Sequence, residues 1–468
     1  MRPVSAAPDP DFDRAVDRPP PITPVVESDE TYPLSRSEVT AREIEPGASD
    51  DADGDPHWRL TLYAAWVAQL CSIMGFSFVM PFIPFYLQHD LGVTDSHQIP
   101  IWAGILTSAS GVAMTAAAPL WGIVADRYGR KIMVQRSMFG GAVILGLMGM
   151  AHTPVQLLIL RMLQGAVTGT VSASVALVAS VTPRRRMGYS LGMMQMAVYT
   201  GAAAGPWLGG SMADRFGYRA PFAVTAGLLL GGGLLVLFGA RERFKRPAPH
   251  EPRAVAGIRS LLSLPGVVTL LGIYFMLNLS GTVVEPIFPL FVQKLMGTTK
   301  GAASATGVLL AVGGVVAAVA AATVGRSSDR LGHRRVLVAT TASVGLLCFP
   351  QALAQSVRQL LAIRVFTGFA AGGMGPAVNA LMANLCPRNC LGRVYGLTTA
   401  ASAVGMSIGP SVGGWLAATL GLRLPFVLMG ALMLMLALMV QRRVPAVTAG
   451  LDAPVAECEP SGGSAVAE

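Results

Sequence analysis

Residues 122–131 read GIVADRYGRK, and residues 325–334 read GRSSDRLGHR, 203 positions later. The same displacement separates Arg161 from Arg364, and 204 positions separate GAAAGPWLGG at 201–210 from GMSIGPSVGG at 405–414. Gly217, Arg219, Pro221 and Phe222 recur as Gly421, Arg423, Pro425 and Phe426, and PFIPFYLQHDLG at 81–92 is matched by PIFPLFVQKLMG at 286–297. A nearly constant offset across five separate elements marks an internal duplication, so the chain reads as two halves laid in the same direction.

Around these repeats the chain is strongly apolar. Of 468 residues 52% are hydrophobic and 13% charged, with a mean hydropathy of +0.54, whereas a soluble domain carries about 25% charged residues. From Arg59 onward, apolar segments of roughly 20 to 28 residues recur, each long enough to cross a hydrocarbon core of about 30 Å as a helix. Twelve spans are expected, at 60–88, 101–124, 132–152, 155–181, 188–212, 219–240, 264–293, 303–325, 335–354, 357–384, 392–416 and 421–441. The expected fold is an all-α membrane protein of twelve transmembrane helices in two parallel-repeat six-helix bundles, 58–240 and 264–441. A basic linker at 241–263 joins them, and disordered tails are expected at 1–57 and 442–468.

Charge placement excludes several classes. Residues 1–56 hold 14 acidic against 5 basic groups, so the formal net charge of +9 is the sum of an acidic head and a body with 30 basic against 12 acidic groups. The basic residues form short clusters between apolar runs rather than one contiguous face, which argues against nucleic acid. The head lacks the basic start and apolar middle of a signal peptide. Five scattered Cys exclude a disulfide scaffold, and Cys386 and Cys390 without a His partner make no metal site. Neither a phosphate-cradling glycine-lysine loop nor a hydrolase elbow occurs, so no cofactor and no enzyme are expected. An even number of spans puts both termini on one side. With the termini inside, 21 basic residues fall in cytoplasmic connections, Arg136 among them, against six outside. That makes the termini cytoplasmic and the chain a multi-pass protein of the cell (inner) membrane.

Two parallel six-helix halves resemble the major facilitator transporters, and the motifs sharpen the resemblance. GIVADRYGRK resembles that superfamily's loop between helices 2 and 3, and RMLQGAVTG at 161–169 resembles its helix-4 motif. GAAAGPWLGG resembles the helix-5 motif of the drug/proton antiporter branch. The run from WRLTLYAAW through MPFIPFYLQ to WGIVADRYGRK is similar to bacterial twelve-helix multidrug exporters, and the likeness covers about residues 58–441. It implies a secondary active transporter, a monomer in the lipid bilayer, moving a small amphipathic organic substrate against protons.

Within the first motif, Gly122 is expected to end helix 2, Gly129 to allow a tight reversal, and Asp126 to sit just before helix 3, where a carboxylate meets free helix N–H groups. Arg127, Arg130 and Lys131 would hold this loop at the inner surface. Asp329, Arg330 and Gly332 form the second copy, with His333 in place of Arg130. The resemblance implies that Asp126 braces the two halves on the cytoplasmic side. On helix 5, Gly201, Gly205 and Gly209 recur every fourth residue, with Pro206 and Gly210 beside them, a small-residue face along which backbones pack closely. The resemblance makes this face a bend that shapes the cavity.

Charges inside spans are costly and therefore informative. Three stand well inside the expected limits: Arg161, Glu285 and Arg364. Glu285 precedes Pro286 and Pro289, so helix 7 should break there and line a polar cavity. It is the expected proton-loading group, with pairing to Lys294 at the outer mouth as the alternative. Arg161 either tunes that site or snorkels to the interface. Gln69, Phe76, Phe78, Gln164, Tyr199, Tyr274 and Asn278 are candidate cavity residues. The reading is a proton-coupled multidrug efflux antiporter working by alternating access. A transporter of one metabolite and a transport-inactive receptor on the same scaffold are the alternatives.

Overall fold

The structure, a computed structural model, describes residues 57–242, 266–385 and 391–444, apart from the side chains of a few residues within those ranges. The acidic head, most of the linker, the Cys386–Cys390 connection and the end of the chain lie outside the described residues. So do the side chains of Asp126, Asp329 and Arg330, and with them the expected brace.

All twelve spans are helical, and their lengths follow one pattern four times over. Span 1 is α1 (Trp58–Val79), a 3-10 turn at Met80–Phe82 and α2 (Ile83–His89). Span 2 is α3 (Gln98–Tyr128) and span 3 is α4 (Arg130–Gly149). Span 4 is α5 (Pro154–Val167) and α6 (Thr170–Val181), span 5 is α7 (Met187–Phe216), and span 6 is α8 (Ala220–Gly239). The second half repeats this with span 7 as α9 (Val267–Val283) and α10 (Phe288–Met296), span 8 as α11 (Ala302–Leu331) and span 9 as α12 (His333–Leu353). Span 10 is α13 (Val357–Gly372) and α14 (Met374–Leu385), span 11 is α15 (Leu391–Leu420) and span 12 is α16 (Leu424–Arg443). Each triplet thus has a broken helix, an unbroken one of 30 or 31 residues and a shorter one of 20 or 21.

The breaks have local causes. Pro81 and Pro84 interrupt span 1, and Pro286 and Pro289 interrupt span 7, because proline removes a helix donor and clashes with the preceding turn. Span 4 breaks at Gly169, whose φ of +130° few side chains adopt. The carbonyls freed there find donors: Trp121 Nε1 bonds Ala166 O at 2.6 Å, and Arg136 Nη2 reaches Thr168 O at 3.4 Å. Spans 4 and 10 begin with the same cap, Thr153 accepting from Gln156 N–H and Ser356 from Gln359 N–H. In both, the glutamine side chain accepts in return from the residue before the cap, His152 or Gln355, at 2.9 Å.

Ten spans are long and apolar enough to cross a membrane by composition alone. The other two, spans 5 and 11, carry the GAAAGPWLGG and GMSIGPSVGG segments, in which Gly, Ala and Ser displace the larger aliphatic residues.

Three expectations at the basic end are corrected. Gly122 does not end helix 2, which runs through it to Tyr128 and stops at Gly129, φ +96°. Asp126 therefore lies in the last turn of span 2, not ahead of span 3. The N-terminus of span 3 is capped instead by Glu242, whose carboxylate accepts from Arg130 N–H at 3.0 Å and Lys131 N–H at 2.8 Å. Lys131 Nζ returns the favour at the C-terminus of span 6, bonding Leu237 O and Ala240 O at 2.9 and 2.7 Å. In the second half Arg334, 203 positions on, bonds Gln441 O at the end of span 12. Arg136, assigned above to a connection, lies in the second turn of span 3 with its guanidinium 3.5 Å from the Trp121 ring centroid. The expected span 132–152 already contained this residue, and the helix begins two residues earlier still.

The halves meet through spans 2 and 11 and through spans 5 and 8. Glycines set the approach: a Cβ on Gly104 would stand 2.5 Å from Pro410 O, and one on Gly307 would stand 2.2 Å from Pro206 O. Gly414 lies likewise against Pro100 O, and Gly210 against Ala303 O. Four residue pairs hydrogen-bond between the halves at the same end, Asp214 with Ser304, Ser108 with Ser411, His97 with Ala418 and Gln88 with Gln293. All eight contacts lie in the part of the molecule remote from the arginine clusters. Toward the basic end Ile123, Val319 and Tyr395 of the same helices are exposed.

Candidate functional site

Two of the four broken spans, 1 and 7, place their breaks on the walls of one cavity. The turn between α9 and α10 carries Glu285, and the 3-10 turn of span 1 carries Met80; both line a space of about 360 Å³ shared by the two halves. Met80 is the repeat counterpart of Glu285, each standing immediately before the matched proline segment. The Glu285 side chain is exposed to this space, so water reaches a carboxylate held deep in the bundle.

Two arginines flank it. Arg161 is fully buried, donating from Nη1 to Gln164 Oε1 at 2.8 Å and from Nη2 to Met80 Sδ at 2.8 Å, while its Nε has no partner. It thus sits behind Met80, and it interacts electrostatically with Glu285 across the cavity. On the other wall Arg364 lines the cavity with its guanidinium 4.3 Å from the Phe288 ring centroid, a cation–π contact. Gln351, also lining, donates to Thr367 Oγ1 at 2.9 Å. Ser77 adds a hydroxyl, and the rest of the lining is apolar, including Phe76, Pro206, Leu310 and Met429. This is one acid, one accessible guanidinium, one amide and one hydroxyl in a greasy chamber large enough for a small organic molecule.

The expected cavity residues scatter. Phe76 lines the chamber, and Pro206 of the helix-5 motif does too. Gln69 and Phe78 point into the packed first half, 0% and 4% exposed. Gln164 serves Arg161 rather than the chamber. Tyr199 lies with Trp207 in a separate groove of about 710 Å³ between spans 5 and 8. Tyr274 donates to Asn379 Oδ1 at 2.8 Å, and Asn278 bonds back to Tyr274 O. Lys294, the alternative partner of Glu285, lines a vestibule of about 840 Å³ at the far end instead. Arg161 does not snorkel; it turns inward. Of the glycines, Gly201, Gly205 and Gly209 pack on span 1 around Ile73, Ser77 and Phe78, while Gly210 packs on span 8.

Three contributors escaped the sequence reading. Met80 and Gln351 carry no charge, though the repeat alignment of Met80 with Glu285 was there to be followed. Arg136, although inside the expected limits 132–152 of span 3, was counted with the cytoplasmic connections.

A family model described as the Major Facilitator Superfamily matches residues 65–322 and 270–459. The chain belongs to that superfamily. The multidrug resistance protein MdtG of Rahnella sp. (strain Y9602) is 35% identical over 374 residues, 80% of this chain and 90% of that protein. The MdtG of Citrobacter koseri is 34% identical over 371 residues, covering 79% and 91%. Among solved structures, the nucleoside transporter NupG has a TM-score of 0.69 at 12% identity, over 82% of this chain and 100% of that one. A bacterial homologue of the human lysosomal transporter Spinster, inward-facing and occupied, has a TM-score of 0.68 at 15% identity, covering 83% and 97%. These last two likenesses are of fold.

Proposed function

We propose that this protein is a proton-coupled multidrug efflux antiporter, exporting small amphipathic organic compounds by alternating access. The observation that carries the reading is the lone carboxylate, Glu285, open to a chamber that both halves line. Similarity to proteins named for multidrug resistance supports the substrate class. The apolar walls and the methionines Met80 and Met429 support it too, since thioether chains adapt to differently shaped ligands.

In this reading the chain acts as a monomer with both termini in the cytoplasm, where the arginine clusters lie. The seam at spans 2, 5, 8 and 11 is then the closed outer gate, and the structure is the state open to the inside. Substrate enters the chamber from that side while Glu285 releases its proton to water. After the halves rock, Glu285 takes a proton from the outer medium as substrate leaves. Arg161 holds its place through Gln164 and Met80, behind the wall that faces Glu285. The bundles are taken as 58–240 and 264–441, joined by the 241–263 linker.

The test is dye-reported proton movement in inverted vesicles given a lipophilic cation such as ethidium. Ethidium should dissipate the proton gradient with the wild type, and Glu285→Gln should abolish that response by more than about tenfold in rate, one carboxylate's worth of coupling. Wild-type indifference to a panel of lipophilic cations sinks the multidrug reading; a fully active Glu285→Gln sinks the coupling assignment.

A further inference from the structure

The seam between the halves is built twice, once from spans 2 and 11 and once from spans 5 and 8, and the two copies differ in one respect. On the span 5 side, Asp214 in the last turn of α7 reaches across to the first turn of α11. Its Oδ2 accepts from Ser304 N–H at 2.8 Å and from Ser304 Oγ. The first turn of a helix leaves its N–H groups without intrahelical partners, and a side-chain acceptor supplied there stabilises it. Here the acceptor comes from the opposite half of the molecule. The repeat counterpart of Asp214 is Ala418, where the backbone carbonyl accepts from His97 Nδ1 at 2.8 Å. One side of the seam thus uses the helix's own carbonyl, and the other uses a side chain that can be removed without touching the helix.

We propose that Asp214 is a latch: its carboxylate, by capping span 8 from span 5, holds the far-end gate shut. Any motion that separates the halves at this end must break both bonds and leave the Ser304 N–H to find another partner. Gly210, one turn before it, and Gly307, one turn beyond Ser304, bring the two helices close enough for the reach. Around the latch, Tyr218 stays a neutral phenol, since burial and then the negative charges of Asp214 and Asp90 push its pKa to about 12. Asp90 itself is held by Arg219 Nε at 3.0 Å. Asp214 is thereby the carboxylate left to engage span 8.

The latch is a positioning device and not a ligand site, so its test reads gate opening and not flux. It builds on the alternating-access reading but needs neither drug nor proton movement, so it can fail while that reading stands. In a background with all five cysteines replaced, Ser77→Cys places a thiol in the chamber. Its alkylation by a membrane-impermeant maleimide is then timed from the face opposite the arginine clusters. Asp214→Ala should speed labelling about fivefold, the factor that corresponds to one helix cap. Ser304→Ala should speed it less, because the backbone N–H still has its acceptor, and adding it to Asp214→Ala should have no further effect. Asp214→Asn, which keeps an acceptor, should bring the rate most of the way back. Labelling of Asp214→Ala at the parent rate overturns the proposal, as do additive effects of the two alanines or a failure of Asn to restore. Should Asp214→Ala not reach the membrane, Ser304→Ala decides: unchanged labelling overturns the latch.

Discussion

The buried pair Arg161–Gln164 is where a single side chain carries most consequence. A guanidinium in the bundle core has one amide oxygen and one thioether as acceptors, and a thioether is a weak one. Replacing Gln164 by Leu should therefore destabilise the protein by about 1–3 kcal/mol, the cost of a buried polar group losing its partner. The measurement is the midpoint of thermal unfolding in detergent, with Gln164→Glu as the companion that should keep the contact. Met80→Leu removes the weak thioether acceptor and should cost less than Gln164→Leu in the same assay. Arg161, Arg364 and Glu285 were legible as candidates because charge inside an apolar run is rare and costly. Their neighbours were not, because Met and Gln in a span look like filler until a tertiary contact gives them a task. Gln69 and Phe78 show the converse. Both sit on span 1, and nothing in a helical period tells which stripe faces the chamber and which faces the bundle.

At the scale of elements, the reciprocal capping between spans 3 and 6 ties the basic end of the first bundle together. Glu242 satisfies the first N–H groups of α4, and Lys131 satisfies the last carbonyls of α8, each charge matched to its helix dipole. Glu242→Ala should cost about 1 kcal/mol, read as a lower unfolding midpoint. Lys131→Met should show a comparable loss, and the double variant should lose less than the sum because the two caps share one junction. The helices themselves were readable from their apolar runs to within a few residues, as were the proline breaks of spans 1 and 7. The ends of spans 2 and 8 were not. The motif around Asp126 looks polar enough to be a loop, yet helix continues through it to Gly129, because a helix leaving the bilayer needs no apolar residues to persist. Gly129 and its counterpart Gly332, φ +96° and +88°, are the residues that stop it.

For the molecule as a whole, the seam at the far end is the part that must come undone in the proposed cycle. Ser108 Oγ and Ser411 Oγ are 2.8 Å apart across it, a separation that suits replacement by a disulfide. Ser108→Cys with Ser411→Cys should lose at least about 90% of transport on oxidation and regain it with dithiothreitol, as expected when a locked step is required for turnover. Transport that survives verified cross-linking would show that spans 2 and 11 need not separate. Gly307→Ala should do the opposite. Its added methyl meets Pro206 O at 2.2 Å, so the seam must yield, and a cysteine in the chamber should become more reactive from the far face. The two-half architecture was readable from the offset of 203 alone, because duplication leaves its trace in glycines and prolines that backbone geometry requires. Which end of the seam is closed was not, since the same residues line it in either arrangement.

The counterparts Met80 and Glu285 bear on what the duplication left behind. Folding needs the two halves to match, and in their prolines, glycines and caps they do. The proposed proton coupling uses a mismatch, since an acid on one wall alone gives the chamber a single place to hold a proton. At that position the halves diverge, with a neutral sulfur on one wall and a carboxylate on the other. The scaffold thus says nearly the same sentence twice, and at the chamber wall the two tellings differ by a charge. Exchanging the two residues, Met80→Glu with Glu285→Met, asks whether the wall matters or only the acid.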